Sequence, residues 1–305
     1  MASLLSVTFP HLELAADPHD RIGDRRADDA WLARAWSDAD TRVLVVAGSR
    51  VAPADGVPWV PSAEVPEDGA RVLLGEQEGH AWFAQVVDAS YADEGWVGIR
   101  DLLPHLAGAG VAEAPLVFHA IGMAEWLTAT RFCHRCAAPL HPQQAGHVLE
   151  CENGHPHWPR LDPAVIMAIT HGEPGADDEE LLLGRQDRWP QGRYSTLAGF
   201  VEPGESLEDA VRREVAEETG VRVGGVTYFG NQPWPLPTSL MLGFMGRAET
   251  RDVHVDGVEM QDARWFTRAA MLEEAGAGTL VLPGGVSISR SLVEDWYGGP
   301  LPGAW

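Results

Sequence analysis

The sequence predicts an α/β protein, in the wider sense that includes α+β folds. We expect an α/β/α sandwich preceded by a short metal-binding segment and a small mixed α+β N-terminal domain. After residue 162, strand-like apolar runs alternate with helical segments. All three cysteines fall between residues 133 and 151, and the first 130 residues alternate short apolar runs with Gly, Pro and Asp turns. We therefore expect three domains, at residues 1–130, 131–161 and 162–305.

The first domain is predicted to hold a small sheet followed by a helix. The run TRVLVVAGSRVA, from Thr41, and the run ARVLLGEQEGHAWFAQVV, from Ala70, place turn residues between apolar stretches, which predicts hairpins. Ala, Glu, Met and Trp then recur at helical spacing, so a helix is expected over residues 106–127. The segment carries no dense set of catalytic side chains, and we expect it to act as a scaffold or in dimerisation.

The charge of the chain excludes several classes of function. The 305 residues include 45 acidic and 22 basic ones, for a net charge of −23, and every basic residue is arginine. The absence of lysine excludes a Schiff-base lysine and a P-loop lysine. So acidic a chain is not expected to bind nucleic acid or anionic membranes through bulk charge. Without a basic leader or an apolar run of about 18 residues, we expect a cytoplasmic protein with no membrane contact.

The cysteines form the beginning of a metal site. Two residues separate Cys133 from Cys136, and Cys151 follows after fourteen more, which is the spacing of a zinc ribbon. Position 154, where a fourth cysteine is expected, is glycine, so His155 is the predicted fourth ligand and His157 the alternative. One structural Zn²⁺ per subunit would stabilise a segment too small to build its own core. The competing interpretation is a set of free buried thiols.

A helix is predicted over residues 206–219. Ser206 can cap its N-terminus, and Gly220 can end it in a left-handed conformation. Leu207, Val211 and Val215 recur every four residues and form an apolar stripe that can pack on a sheet. A further helix is expected to begin near residue 287.

The same helix carries a cluster of carboxylates. Glu214, Glu217 and Glu218 lie three and four residues apart, so they project from one side. Like charges at this spacing destabilise a helix by about 0.2–0.5 kcal/mol, whereas Mg²⁺ or Mn²⁺ would turn the repulsion into ligation, because these ions prefer oxygen donors. Arg213 can hold one of the glutamates by a charge-assisted hydrogen bond. The competing interpretation is a solvated acidic face.

The residues around this cluster follow the pattern G-x5-E-x7-R-E-U-x-E-E-x-G-U, where U is aliphatic. This pattern resembles the Nudix box, which carries the hydrolysis of nucleoside diphosphates linked to another moiety. The match has no departure. It is made by Gly199, Glu205, Arg213, Glu214, Val215, Glu217, Glu218, Gly220 and Val221.

Ten residues past the box lies NQPWPLPTS, residues 231–239, whose three prolines cannot join a central strand. This segment resembles the SQPWPFPxS array of the NADH pyrophosphatase family of Nudix enzymes, with Asn231 and Leu236 as departures. That family also places a zinc ribbon directly before the Nudix domain and a less regular domain before the ribbon, which is the order predicted here. The family ribbon has four cysteines, so Gly154 is a further departure.

The resemblance implies roles for individual residues. Glu214, Glu217, Glu218, Glu259 and the backbone carbonyl of Ala198 would hold two or three Mg²⁺ or Mn²⁺ ions. Among the catalytic residues, which also include Arg213, Glu218 is the first choice for orienting or deprotonating water. Trp158 would contact substrate from the partner subunit of a homodimer. The implied substrate contacts are Phe200, Gln232, Pro233, Trp234, Pro235, Leu236, Pro237, Thr238, Ser239, Trp158, Arg100 and Ser289.

The resemblance implies hydrolysis of the diphosphate of NADH or NAD⁺ to nicotinamide mononucleotide and AMP. Cations would then mediate the contact between an acidic protein and an anionic dinucleotide. The first alternative is removal of NAD caps from RNA 5′ ends by the same chemistry. The others are a generic Nudix hydrolase of ADP-ribose or nucleoside triphosphates and a non-catalytic ligand sensor, which the intact set of carboxylates disfavours.

Overall fold

A computed structural model describes residues 9–14, 19–108, 113–255 and 257–301. The chain divides into two compact units. The N-terminal unit comprises Leu14–Leu161 together with Trp234–Thr238. The C-terminal unit comprises the residues up to Glu13, Asp162–Pro233, and the chain from Ser239 onward.

The N-terminal unit contains a six-stranded sheet in the order β4-β5-β1-β2-β6, with β3 paired to β1. The predicted hairpins are present as the antiparallel pairs β1–β2 and β4–β5. Between these hairpins β1 and β5 pair in parallel, a long-range contact that the sequence did not predict. The strands are β1 (Arg42–Ala47), β2 (Arg50–Val51), β3 (Trp59–Val60), β4 (Ala70–Gln77), β5 (His80–Val87) and β6 (Val97–Gly98).

Among its described residues, this unit has three α-helices: α1 (Asp29–Ser37), α2 (Ile99–Gly108) and α3 (Ala114–Ala129). The prediction of a single helix over residues 106–127 was wrong, because α2 ends and α3 begins within that range. Pro115 lies in the first turn of α3, where its fixed φ and missing N–H favour the start of a new helix. Most of α3 is buried, yet none of the helices that the structure describes is both long and apolar enough to cross a bilayer.

The cysteine-rich segment forms a separate three-stranded sheet in the order β7-β8-β9. Its strands are β7 (Leu140–Gln143), β8 (Val148–Cys151) and β9 (Pro156–His157), all antiparallel. Before β7, a tight turn returns the chain on itself, since the amide of Ala137 donates to the carbonyl of Cys133 and the amide of Cys133 donates to the carbonyl of Ala138.

The C-terminal unit contains a mixed six-stranded sheet in the order β13-β14-β10-β11-β15, with β12 paired to β10. Strands β10 and β14 are parallel, and β13 is an edge strand, where Pro233 costs no ladder bond. The elements are β10 (Asp162–His171), β11 (Glu180–Arg185), β12 (Leu197–Phe200), α4 (Leu207–Thr219), β13 (Val223–Trp234), β14 (Ser239–Ala248), β15 (Asp262–Thr267), α5 (Arg268–Gly276) and α6 (Ile288–Tyr297).

Helices cover both faces of this sheet. Along β10, Val165 and Met167 join a buried cluster with Val211 of α4, whereas Ile166 joins another cluster with Leu292 of α6. Since neighbouring residues of a strand point to opposite faces, the two clusters lie on opposite sides of the sheet. The predicted α/β/α sandwich is therefore confirmed.

The two helices predicted in this half are confirmed as α4 and α6, whereas α5 was not predicted. Thr267, the last residue of β15, also caps α5 by accepting a hydrogen bond from the amide of Ala270. Strand and helix thus follow each other without a loop, which leaves no turn signal between them. The first described residues also pack on this unit: Phe9 contacts Phe229 edge to face, with ring centroids 4.9 Å apart.

Candidate active site and zinc site

A cavity of about 760 Å³ opens in the C-terminal unit beside helix α4 and strand β12. Three of the four glutamates predicted to bind metal line it: Glu214, Glu218 and Glu259. Ala198 and Phe200, on β12, line it as well. The complete lining is Ala164, Gln186, Asp187, Arg188, Ala198, Gly199, Phe200, Glu202, Glu214, Glu218, Ser239, Met241, Val258 and Glu259.

Helix α4 has the boundaries that its sequence predicts. The hydroxyl of Ser206 accepts a hydrogen bond from the amide of Asp209, and Gly220 ends the helix at φ 70°. Val211 and Val215 are completely buried against the sheet. Residues three or four positions apart on a helix share a face. Glu214 and Glu218 each follow one of these valines by three residues, so the packing of the valines directs both glutamates towards the cavity.

Gly199 gives Glu214 the space that it occupies. A Cβ at position 199 would lie 1.9 Å from Cδ of Glu214 and within 2.2 Å of both of its carboxylate oxygens. No real Cβ contact is that short, so a side chain at position 199 would force the carboxylate of Glu214 to move. The first glycine of the box is therefore required by a close contact rather than by an unusual backbone conformation.

Arg213 links the box residues to one another. Its Nε and Nη2 donate to the two carboxylate oxygens of Glu205, at 3.1 and 2.7 Å, in a forked pair. Its Nη1 donates to Glu214 and to Glu217, at 2.9 Å each, and Nη2 also reaches the carbonyl of Phe200 at 2.9 Å. The guanidinium of Arg213 lowers the pKa of Glu205, while the same hydrogen bond raises the pKa of Arg213.

The three glutamates of the helix have different surroundings. Burial raises the pKa of Glu214, against the opposing effect of its hydrogen bond from Arg213. Glu218 is buried, whereas the side chain of Glu217 is 62% exposed and is not part of the cavity lining. The structure thus brings Glu214, Glu218 and Glu259 to one cavity and leaves Glu217 at its margin, held by Arg213.

The predicted substrate residues of the C-terminal unit fall into two groups. Phe200, 60% exposed, and Ser239 line the cavity. Gln232 and Ser289 are buried and already hydrogen-bonded. The amide of Gln232 donates to the carbonyl of Val286 at 2.7 Å, and its oxygen accepts from the amide of Ile288 at 2.9 Å.

Ser289 lies in the first turn of α6. Its hydroxyl is 2.8 Å from that of Ser195 and 2.7 Å from that of Thr196. Pro233, the remaining predicted contact in this unit, is an exposed residue of the edge strand β13. Substrate contact by Gln232, Pro233 and Ser289 stays a prediction.

The rest of the predicted contacts belong to the N-terminal unit. Within that unit, Pro235 lies close to Gly122 of α3. A Cβ built on Gly122 would be 3.8 Å from the Cβ of Pro235. Trp158 is 67% exposed after β9, and Arg100 is exposed in the first turn of α2. Leu236 and Trp234 are half-buried, Thr238 is buried and Pro237 is exposed, with the Leu236–Pro237 peptide bond in the cis form.

Several cavity residues were not found from the sequence. Arg188 is exposed, lines the cavity and donates from Nε to the side-chain oxygen of Gln186 at 2.9 Å. It lies in a turn-rich stretch, QDRWPQGR, that matches no motif. Glu205 belongs to the box pattern, but its forked contact with Arg213 becomes visible only in three dimensions.

The cysteine-rich segment gathers four ligands for a metal ion. The sulfur atoms of Cys133, Cys136 and Cys151 and Nδ1 of His155 all lie within 4.8 Å of one another. The Cys136 and Cys151 sulfurs are 3.7 Å apart, and a tetrahedral site with Zn–S bonds of about 2.3 Å places sulfurs about 3.8 Å apart. The backbone amide of Ala138 lowers the pKa of Cys136 to about 6, favouring the thiolate that zinc binds. The donor set fits a structural zinc.

His157, the alternative fourth ligand, stands just outside this group. It is buried, with Nε2 3.3 Å from the sulfur of Cys133, and its ring contacts that of His134 edge to face. A histidine in this position can orient a ligand through a hydrogen bond to its sulfur. The geometry therefore favours His155 as the ligand and His157 as its neighbour.

Comparison with known proteins gives both a domain and full-length relatives. A NUDIX domain profile matches residues 161–280. Over 307 residues the chain is 36% identical to the NAD-capped RNA hydrolase NudC of Mycobacterium bovis (strain BCG / Pasteur 1173P2), covering 93% of both chains. Over 253 residues it is 37% identical to the NAD-capped RNA hydrolase NUDT12 of Homo sapiens, covering 77% of this chain and 53% of the relative. The chain thus spans about half the length of NUDT12.

Among solved structures, a NUDIX hydrolase from Nitrosomonas europaea aligns with a TM-score of 0.43 and 19% identity, covering 56% of this chain and 96% of that chain. The sequence relationship is the stronger one, since it extends over nearly the whole of this chain and of NudC. The box helix lies inside the matched domain. The chain belongs to the NADH pyrophosphatase family of Nudix hydrolases.

Proposed function

We propose that this protein, in the cytoplasm, hydrolyses the central diphosphate of NADH or NAD⁺ and releases nicotinamide mononucleotide and AMP. The observation that carries the proposal is one cavity in which Glu214, Glu218 and Glu259 lie beside the exposed ring of Phe200. Carboxylates suit the cations that a diphosphate needs, and an exposed aromatic ring suits a base. Membership of the family supports the same reaction.

Nudix hydrolases use divalent metal ions, and the oxygen donors of this cavity fit Mg²⁺ or Mn²⁺. We propose that two or three such ions are held by Glu214, Glu217, Glu218, Glu259 and the backbone carbonyl of Ala198. When bound, these ions would neutralise the diphosphate and lower the pKa of a water molecule.

Residues of the protein itself have further roles in the proposed reaction. Arg213 fixes Glu214 and Glu217 through its hydrogen bonds and is itself held by Glu205. Glu218 is our choice for orienting or deprotonating the attacking water. It is buried beside the cavity, whereas Glu217 is exposed and Glu214 is committed to Arg213. A buried carboxylate keeps its geometry and loses little of its charge interaction to solvent screening.

We propose that apolar and aromatic residues select the substrate, because the catalytic side of the cavity is acidic. We propose that Phe200 stacks on a base and that Gln232, which bonds to the backbone before α6, contacts the substrate. Arg188, at the cavity wall, is a candidate for contact with a phosphate. The further proposed contacts are Pro233, Trp234, Pro235, Leu236, Pro237, Thr238, Ser239, Trp158, Arg100 and Ser289.

A second candidate substrate is RNA that carries an NAD cap. The relatives from Mycobacterium bovis and Homo sapiens are both named NAD-capped RNA hydrolases. The bond broken is the same, and only the leaving group is larger. With a net charge of −23, the chain is expected to bind the RNA portion weakly and with strong dependence on salt.

We propose the domain organisation 1–130, 131–161 and 162–305, with one structural Zn²⁺ per subunit in the middle segment. We further propose a homodimer in which Trp158 reaches the partner's substrate. Three large apolar side chains near the zinc ligands are exposed and support an interface: Phe132, Trp158 and Leu161. Light scattering on the purified protein tests the dimer, which a monomeric mass would exclude.

The direct test is product analysis after incubation with NADH and Mn²⁺. Wild type is compared with Glu218→Gln and with Glu208→Gln, a matched control on the exposed side of the same helix. We expect NMNH and AMP from wild type and from the control. Glu218→Gln should lose at least about a hundredfold in rate, the usual contribution of a general base.

Parallel reactions with NAD-capped RNA and ADP-ribose determine the substrate class. Cleavage of the capped RNA at least as fast as NADH would support the second candidate. Intact NADH with wild type, or equal rates for wild type and Glu218→Gln, would overturn the proposal.

A further inference from the structure

A second cavity, of about 580 Å³, lies in the C-terminal unit and has no part in the proposed reaction. It is formed where β11, β15 and the end of α5 meet the loop between β11 and β12. Its lining contains two guanidinium groups and two carboxylates. The lining residues are Arg185, Gln191, Gly192, Tyr194, Gln261, Asp262, Arg264, Glu274 and Thr279.

Arg185 is the uncommitted cation of this cavity. Its Nη2 donates to the carbonyl of Trp189 at 3.1 Å, and its buried Nε has no hydrogen-bond partner. Within the described part of the chain, Arg185 makes no ion pair. A buried donor without a partner is costly, and a guanidinium needs an anion or several oxygens to satisfy its fork.

The two carboxylates that line the cavity accept hydrogen bonds from groups other than Arg185. The hydroxyl of Tyr194 donates a short hydrogen bond to Asp262. Burial, together with that bond, raises the pKa of Tyr194 to about 12, so the phenol stays protonated. Glu274 accepts from Nη2 of Arg264 at 2.7 Å. Neither acid forms an ion pair with Arg185, although Asp262 is its partner residue on the neighbouring strand β15.

Arg264 is the second cation, and its position is fixed. Its guanidinium lies over the rings of Tyr194 and Phe266, at 5.1 and 4.5 Å from their centroids. Like that of Arg185, its Nε is buried without a hydrogen-bond partner. Gln191 adds an exposed amide that makes no hydrogen bond to any described residue. Two arginines with unsatisfied donors and an amide thus surround one solvent-filled space.

We propose that this cavity is a binding site for a phosphate group, held by Arg185 with help from Arg264 and Gln191. Phosphate oxygens match the planar donor geometry of a guanidinium group. The volume exceeds that of inorganic phosphate and falls in the range of small-molecule sites, about 300–1,000 Å³. The phosphate group can therefore be free phosphate or the phosphate of a nucleoside monophosphate.

The site lies next to the proposed active cavity along the chain. Residues 186–188 line the active cavity, directly after Arg185, and Gln261 donates to Asp187 at 2.8 Å. A ligand at Arg185 therefore contacts a loop that also forms the active cavity. If the proposed function holds, AMP is both a product and a candidate ligand of this second site.

The test is calorimetric titration of the full chain with inorganic phosphate and, separately, with AMP. Divalent metal is omitted and a weak divalent chelator is added, with zinc content verified, so that the acidic active cavity repels both anions. Arg185→Gln is the test variant. Arg222→Gln is its matched control, an exposed arginine of the same unit outside both cavities. Binding is measured without any hydrolysis, so failure here leaves the proposed function untouched.

We expect wild type and Arg222→Gln to bind equally and Arg185→Gln to bind about tenfold more weakly or worse, as for the loss of a charge-assisted fork. A raised melting temperature in the presence of ligand should follow the same order. Tighter binding of AMP than of phosphate would identify a nucleotide site, and equal binding a phosphate site. No binding by wild type, or equal binding by Arg185→Gln, would overturn the proposal.

Discussion

Gly199 and Glu214 are in such close contact that a Cβ on residue 199 would lie 1.9 Å from the carboxylate carbon of Glu214. The carboxylate of Glu214, a proposed metal ligand, thus occupies the space beside the backbone of Gly199. Gly199→Ala should therefore displace Glu214 rather than only crowd it. We expect kcat to fall at least about tenfold and the free energy of unfolding to fall by about 1 kcal/mol, because the group that must move is the end of a flexible side chain.

Gly225→Ala provides the control for that change. Gly225 lies in β13, and a Cβ there would meet nothing within 4 Å. Stability and kcat should both stay close to the wild-type values. Equal kinetics for Gly199→Ala and wild type would show that the position of Glu214 is not critical.

The forked pair between Arg213 and Glu205 leads to a second prediction. Arg213 donates to Glu205, Glu214, Glu217 and the carbonyl of Phe200. A lysine cannot donate in this planar arrangement, so Arg213→Lys should lower kcat about tenfold to a hundredfold despite the retained charge. Steady-state kinetics at several Mn²⁺ concentrations would check this, because displaced glutamates should also weaken metal binding.

Arg212→Lys is the matched control for the helix. Arg212 precedes Arg213 but donates to Asp209 and to the carbonyl of Gly224, away from the cavity. Its replacement should leave kcat within about twofold, since a partly exposed pair contributes little. A loss of activity in Arg212→Lys as large as that in Arg213→Lys would mean that general helix stability, and not orientation of the glutamates, explains the effect.

The zinc site allows the two histidines to be distinguished. His155→Ala removes a member of the group of four close donors, whereas His157→Ala removes only a neighbour of Cys133. We expect His155→Ala to lose most bound zinc and His157→Ala to keep about one ion per chain with lowered affinity. Elemental analysis after dialysis measures this. Full zinc content in His155→Ala together with loss in His157→Ala would reverse the assignment.

Features that depend on residues close together in the chain could be predicted from the sequence, whereas contacts between distant residues could not. The boundaries of α4 follow from Ser206 and Gly220, and the predicted zinc ligands lie within 23 residues, from Cys133 to His155. Such local spacing can be interpreted directly. The parallel pairing of β1 with β5 joins residues about 40 positions apart, and no local pattern encodes it. The presence of Arg188 at the active cavity was likewise not visible before the sheet was assembled.

A buried ion-pair network predicts how the C-terminal unit responds to acid. Glu179 is buried and accepts from Arg247 at 2.7 Å, from Arg268 at 2.8 Å and from the amide of Gly175 at 3.0 Å. Burial alone would raise the pKa of Glu179, but the hydrogen bonds from Arg268, Gly175 and Arg247 outweigh it and lower the pKa below its ordinary value of 4.5. A lowered pKa in the folded state contributes stability above the unfolded value, and this contribution is lost as the pH falls through the folded value.

Glu179→Gln should therefore destabilise the protein by about 3 kcal/mol at pH 7, because it leaves two arginines without their buried partner. Below pH 4.5 the difference from wild type should begin to shrink, because Glu179 of the unfolded wild-type chain is protonated there, and it should vanish below the lowered pKa of the folded state. Glu173→Gln, an exposed glutamate at the preceding turn, serves as the control and should be neutral at both pH values. Chemical denaturation at pH 7 and pH 4 measures the two differences. A constant difference across this range would show that the charge of Glu179 is not what stabilises the network.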